Sequence, residues 1–305
     1  MNIFITGAGG YIGRALCARL VALGHSVSAT DRSGDAPAGV HRWRSGDITD
    51  AVLVRSLIPP NTDAVIHLAG IVSGAAEADF DLGLRVNVDG LRNVLEVCRQ
   101  LATPPRLVYS SSIAVYGVPL PTAIDDATPT IPTLSYGTHK LIGEQLINDY
   151  SRREFIDGVA LRLPGIVVRP RLPNGALSAF NSDIIREPLA GRTMIAPVSP
   201  AATIWILSLA RCVDNFVHAI SMDTQPLHTQ RALLSPAVAT SVRDLLNAMS
   251  DHAGRDLWPL VSFEPNADIE PMFGRWPAKF TAARALRAGF VADHNLRALL
   301  NTVNI

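Results

Sequence analysis

The eight residues Thr6-Gly7-Ala8-Gly9-Gly10-Tyr11-Ile12-Gly13 constrain this chain more than any other stretch. They follow the apolar run of residues 2–6 and open a helical pattern over residues 11–23, so the spacing predicts a strand, a tight turn and a helix. In that setting Gly7 permits the turn, Gly10 lets the backbone approach a pyrophosphate, and Gly13 allows close helix–sheet packing. The phosphate charge then meets the unpaired N–H groups of the helix N-terminus, at Tyr11 and Ile12. A glycine triple alone is weak, because turns are glycine-rich for steric reasons. Here Asp31 joins it, 24 residues after Gly7, at the end of a second strand-like run over residues 26–31. A carboxylate there accepts hydrogen bonds from adenosine ribose hydroxyls and repels a 2′-phosphate, which favours NAD over NADP. Arg32, next in sequence, can stack on adenine or meet a phosphate.

The rest of the first half alternates in the same way. Residues 63–69, 106–111 and 158–163 are short apolar runs, and residues 135–150 read as a helix. Leu84, Val88, Leu91, Leu95 and Cys98 step by four and three, which predicts an amphipathic helix between the first two of those runs. Strands alternating with helices mean βαβ units and a parallel sheet covered on both faces. After Pro164 the texture changes: prolines at 164, 170, 173, 188, 197 and 200 break the chain into short pieces, with helices expected over 209–221 and 242–253. Segments of that kind commonly carry substrate contacts.

Composition narrows the function class. Hydrophobic residues make up 48% and charged residues 18% of 305, enough to bury a core, which excludes intrinsic disorder. Basic and acidic residues number 27 each, so there is no positive excess of the kind nucleic-acid binding needs. Cys17, Cys98 and Cys212 lie far apart in apolar surroundings and read as buried thiols, not as a disulfide or a metal site. No 18 consecutive apolar residues occur, and the strand and glycine turn at the start leave no room for a signal peptide; a cytoplasmic protein without a membrane span is expected.

A second constellation supplies chemistry. Ser110-Ser111-Ser112 ends one strand-like run, and Tyr136-Gly137-Thr138-His139-Lys140 starts a helix 24 residues after Ser112. Tyr136 and Lys140, at i and i+4, share one helix face. A nearby ammonium favours the phenolate of a tyrosine, whose intrinsic pKa is about 10. Tyr136 can then take a proton from an alcohol, while Ser112 hydrogen-bonds the substrate oxygen. Lys140 can also bind the nicotinamide ribose.

With these residues in that order, the chain resembles the extended short-chain dehydrogenases/reductases. The resemblance rests on residues 6–13, Asp31, Asp47-Ile48, His67-Leu68-Ala69-Gly70, Asn87, Ser112, Tyr136, Lys140 and Leu161-Arg162-Leu163-Pro164. It implies a Rossmann-type, doubly wound parallel sheet over residues 1–164. It also implies a smaller substrate-binding lobe over 165–305, with segments returning to the first domain. By the resemblance Asp47 and Ile48 flank the adenine, the backbone at Leu68, Ala69 and Gly70 lines the cofactor, Asn87 supports the site, and Pro164 runs beside the nicotinamide. His67 then reads as a strand residue beside the cofactor; no second His, Cys or acid has metal-ligand spacing to it. The helices over 80–101 and 135–150 pair subunits in many relatives, which implies a homodimer.

Most extended members act on nucleotide sugars. Here Ile113-Ala114-Val115-Tyr116 follows Ser112, with no acid for eliminating water. Pro164 and Gly165 stand where an asparagine is usual, and residues 202–208, Ala-Thr-Ile-Trp-Ile-Leu-Ser, hold neither the arginine nor the acids that accompany a diphosphate. A small substrate follows. Residues 110–117, 149–153, 161–170 and the run Ile184-Ile185-Arg186-Glu187-Pro188-Leu189-Ala190-Gly191 resemble the D-erythronate dehydrogenases. That group uses NAD to oxidise a four-carbon sugar acid at C2. The resemblance therefore implies a small sugar-acid substrate, with Arg186 as its carboxylate clamp and a salt bridge to Glu187 as that residue's alternative. Arg169, Arg171 and Arg211 are further candidates, and Ser73 and Asn174 can hold hydroxyls. Two other readings stand beside this one. They are a nucleotide-sugar 4-epimerase or reductase, and a non-catalytic dinucleotide sensor, against which the retained Tyr136 and Lys140 speak.

Overall fold

The computed structural model describes residues 1–171 and 177–303. Its backbone contacts divide the chain into two units. The first comprises residues 1–115, 134–162 and 213–233; the second comprises 116–133, 163–212 and 234–305.

The first unit is built on a seven-stranded sheet. Its order is Ala232–Leu234, Asp157–Leu163, Arg106–Ser112, Ala64–His67, Asn2–Thr6, Ser26–Thr30 and Arg42–Trp43. Asn2–Thr6 pairs in parallel with Ser26–Thr30 on one side and with Ala64–His67 on the other. Ser26–Thr30 with Arg42–Trp43, and Ala64–His67 with Arg106–Ser112, are parallel too. The chain thus winds outward in both directions from Asn2–Thr6, and the carboxyl ends of that strand and of Ala64–His67 lie at the switch point, where such sheets bind ligands. Phe4, Val65, Leu91, Leu95, Leu107 and Tyr109 are among the buried residues that form one continuous core. Cys17, Cys98 and Cys212 are free and buried, and burial pushes each thiol up to about 12, as inert thiols require.

One element departs from its sequence pattern. The helix expected across residues 84–98 is divided into Phe80–Leu84, a π-helical turn Arg85–Asp89 and Gly90–Cys98. The wide turn contains Asn87, whose Oδ1 accepts from the Ile71 amide and whose Nδ2 donates to the Ile71 carbonyl. Gly90 follows it against Ile48; a Cβ there would lie 2.6 Å from Ile48 Cδ1. The apolar period survives such a bulge, so periodicity alone does not reveal it.

The second unit holds a three-stranded sheet, ordered Val238–Ser241, Thr203–Ser208, Gly165–Val167, with the first pair antiparallel and the second parallel. Trp205, 1% exposed, sits at its centre, donating to the Pro277 carbonyl at 2.7 Å and packing on Trp276 and Phe280. Helix Val242–Ala253 begins at Ser241, whose hydroxyl caps the Asp244 amide, and stops at Gly254 with φ +64°. Helix Phe180–Leu189 carries Pro188 in its last turn and ends one residue later.

Candidate functional site

The glycine turn is as tight as its sequence requires. Gly7 adopts φ +71°, and a Cβ there would lie 2.6 Å from the Ala69 amide nitrogen. A Cβ on Gly13 would fall 2.3 Å from the Gly7 carbonyl oxygen. Helix Tyr11–Ala22 opens with no side-chain cap on its first amides. Beside it, Asp31 follows strand Ser26–Thr30, its Oδ2 accepting from the Gly9 amide at 2.9 Å and its Oδ1 from the Arg32 amide at 2.7 Å. Arg32 is exposed. These residues fit a dinucleotide: a side-chain-free cradle for a pyrophosphate, with a carboxylate at the place for a ribose.

The other residues expected around the cofactor divide by what they touch. Asp47 is exposed and its Oδ1 takes the Thr49 amide at 2.9 Å. Ile48 is buried in the core, and its carbonyl accepts from Asn93 at 2.9 Å. Leu68 and Ala69 run past Gly7, and Ala69 donates to Thr6 Oγ1 at 3.3 Å. A Cβ at Gly70 would meet Asn87 Oδ1 at 2.9 Å and Lys140 Nζ at 3.7 Å, which puts the Asn87 carboxamide and the ammonium around one glycine. Ser73 is buried at the start of the short helix Ser73–Ala78. Pro164 is buried between strands Asp157–Leu163 and Gly165–Val167 of the chain. Asn174 lies outside the described residues.

Helix Ser135–Arg152 presents Tyr136, Lys140 and Glu144, four residues apart, on one face. Lys140 is 4% exposed, and its Nζ donates to the Ser110 carbonyl at 2.7 Å. The ammonium lies 5.5 Å from the Tyr136 ring centre and 4.8 Å from that of Tyr109. Burial pulls Lys140 down to about 8, opposed by the Glu144 carboxylate. Ser112 Oγ accepts from the Ala114 amide at 3.1 Å, which leaves its O–H to donate. Gly143 lets this helix approach the strand: a Cβ there would lie 2.6 Å from the Tyr109 hydroxyl.

His67 is a buried strand residue, as its place in the motif implies. Its Nδ1 pairs with Thr6 Oγ1 at 2.9 Å, and its ring stacks on Tyr109. Burial, and secondarily Lys140, lower it to about 3, which favours the neutral ring. No cluster of three or more metal-ligating side chains occurs among the described residues.

Two features escape the motif. Glu144 is 1% exposed; its Oε1 accepts from Ser111 Oγ at 2.6 Å and Arg162 Nε at 2.9 Å, and its Oε2 from Arg162 Nη2 at 2.8 Å. Its signal was its place as the third term of the four-residue series. The other is Arg186, expected to clamp a carboxylate. Its Nε donates to Glu187 Oε1 at 2.8 Å, its Nη1 to the Arg169 carbonyl at 2.5 Å, and its Nη2 to Asp183. Two acids thus offset its charge, and the salt bridge to Glu187 is formed. Arg186 lines a cleft of about 1040 Å³ in the second unit, with Arg169, Arg171 and Arg192. Arg169 and Arg171 make no side-chain hydrogen bond or ion pair among the described residues.

Among the described residues, no helix is long and apolar enough to cross a membrane. A family model described as the NAD dependent epimerase/dehydratase family matches residues 3–198. The D-erythronate dehydrogenase of Cupriavidus necator is 42% identical over 306 aligned positions, which cover 96% of this chain and 94% of that protein. The D-erythronate dehydrogenase of Haemophilus influenzae is 36% identical, covering 97% and 96% respectively. A crystal structure described as the nucleoside-diphosphate-sugar epimerase from Agrobacterium tumefaciens superposes with a TM-score of 0.91 at 38% identity, over 98% of this chain and 92% of that one.

Proposed function

This chain belongs to the NAD-dependent epimerase/dehydratase family, and from that membership we propose that it oxidises the C2 hydroxyl of a small sugar acid, D-erythronate, to 2-dehydro-D-erythronate. The observation that carries the reading is that two D-erythronate dehydrogenases align with it almost end to end, substrate half included.

The chemistry that NAD supplies when bound is acceptance of the hydride from C2. The cradle at Gly7, Gly10, Tyr11, Ile12 and Gly13 and the Asp31 carboxylate would hold it. The protein's own work is proton handling. Tyr136 takes the hydroxyl proton as the carbonyl forms, and the Lys140 ammonium favours its phenolate. Ser112 donates its O–H to the substrate oxygen and offsets the charge that develops there. Arg186 is largely neutralised by Asp183 and Glu187, so within the second unit Arg169, which makes no side-chain ion pair among the described residues, is the guanidinium better suited to hold a carboxylate. We also propose a cytoplasmic homodimer, the pairing supported by the exposed Phe80, Leu84 and Ile142 on the helices expected to meet.

The name of the Agrobacterium tumefaciens structure favours a second reading, a nucleotide-sugar epimerase. Against it, strand Thr203–Ser208 holds no cation for a diphosphate. The test is NADH formation across four- to six-carbon aldonates beside UDP-sugars. Turnover of D-erythronate is expected; turnover of UDP-sugars and of no sugar acid would replace this reading by the second.

A further inference from the structure

Lys140 and Glu144 bond to consecutive residues of one strand. Lys140 Nζ reaches the Ser110 carbonyl, and Glu144 Oε1 takes the Ser111 hydroxyl. Ser112 comes next, at the end of strand Arg106–Ser112. Glu144 also takes two donors from Arg162 on strand Asp157–Leu163, the neighbouring strand in the sheet. One carboxylate therefore joins the helix to two strands.

We propose that Glu144 and Ser111 are positioning residues, which fix the strand end bearing Ser112 against the helix face bearing Tyr136 and Lys140. The inference rests on the dehydrogenase reading above. Its physical basis is the cost of the arrangement. A buried ion pair is a poor source of stability, because desolvating two charges consumes most of what their attraction returns. Arg162 alone would satisfy the Glu144 carboxylate in two directions. The additional bond to Ser111 contributes orientation, and orientation is where catalysis is sensitive: a 1 Å misplacement can cost about 10²-fold.

The cluster also sets charge. Facing Lys140 are Tyr136, His139 and Glu144 from its own helix, His67 from strand Ala64–His67 and Tyr109 from strand Arg106–Ser112, with Arg162 behind Glu144. Burial holds His67 neutral and lowers His139, while Glu144 is the opposite charge that supports the ammonium. Without that carboxylate Lys140 loses its proton at lower pH, and Tyr136 loses the cation that favours its phenolate.

Three variants separate position from charge. Ser111→Ala breaks the strand bond and changes no charge; kcat is expected to fall about tenfold with KM for NAD unchanged. Ser111→Thr, which keeps the hydroxyl, is expected to restore most of it. Glu144→Gln keeps the shape and removes the charge, so the alkaline fall in kcat should begin at lower pH. Urea unfolding of the cofactor-free Glu144→Gln protein across pH should show the rise in stability tied to Lys140 beginning at lower pH than in wild type. Ser111→Ala with wild-type kcat overturns the positioning role, and it decides the matter if Glu144→Gln does not fold. A folded Glu144→Gln with unchanged pH profiles of kcat and of unfolding overturns the electrostatic role. Wild-type protein that oxidises no sugar acid refutes the dehydrogenase reading instead, and the pH profile of unfolding then still tests the charge.

Discussion

The Gly9 amide lies 2.9 Å from Asp31 Oδ2, so the glycine turn and the end of the second strand are tied by the same carboxylate that we propose meets a ribose. Replacing it acts on both. Asp31→Ala should weaken NAD and relieve repulsion of a 2′-phosphate, leaving the exposed Arg32 free to meet that group. Steady-state kinetics with NAD and NADP check this. A wild-type protein that uses both cofactors equally would remove the role given to Asp31.

Tyr136→Phe keeps the ring beside Lys140 and removes the proton acceptor. Activity should fall by about 10²–10⁴-fold. NAD affinity, read by fluorescence titration, should change little, because the cradle and Asp31 are untouched. Near wild-type turnover would place the base elsewhere.

Lys140 predicts a pH signature in stability as well as in rate. Its pKa is lowered by burial from 10.5 to about 8 in the folded protein. Between those values the unfolded chain binds a proton that the folded chain has released, so this group's contribution to stability rises with pH across that window. Below about 8 its burial cost is fully present. Urea unfolding of wild type and Lys140→Met at neutral pH and near pH 10 should show the difference moving in favour of wild type as pH rises. A pH-independent difference would mean that Lys140 is not perturbed.

Arg169 and Arg186 should separate cleanly. Arg169→Ala is expected to raise KM for the sugar acid while leaving Tm and NAD binding nearly unchanged. Arg186→Ala removes a partner of Asp183 and Glu187 and should cost about 1–2 kcal/mol of stability, since Asp183 is partly exposed and Glu187 retains Arg192. Thermal unfolding together with KM for D-erythronate distinguishes them. A stable Arg186→Ala with a strongly raised KM would return the carboxylate to Arg186.

What could be read from the chain alone was what spacing encodes. The glycine turn, Asp31, and Tyr136 with Lys140 are short-range patterns, and each has one steric or electrostatic meaning. The parallel sheet followed from alternation of strand and helix. The π-helical turn at Arg85–Asp89 was not legible, since Leu84, Val88 and Leu91 keep a helical rhythm through it. Nor was the engagement of Arg186, because whether Asp183 and Glu187 reach one guanidinium depends on how the Phe180–Leu189 helix turns its face. The Glu144–Arg162–Ser111 cluster joins residues 33 and 18 positions apart, a meeting that only the folded sheet brings about.

Gly143 has a consequence beyond packing. Where the helix crosses Tyr109 there is no space for a methyl group, so the seam between the two chemistry-bearing elements is already at its minimum width. A larger residue at this position would part the helix bearing Tyr136 and Lys140 from the strand bearing Tyr109. Any enlargement of side chains around Tyr136 and Lys140 has therefore to come from positions other than this crossing.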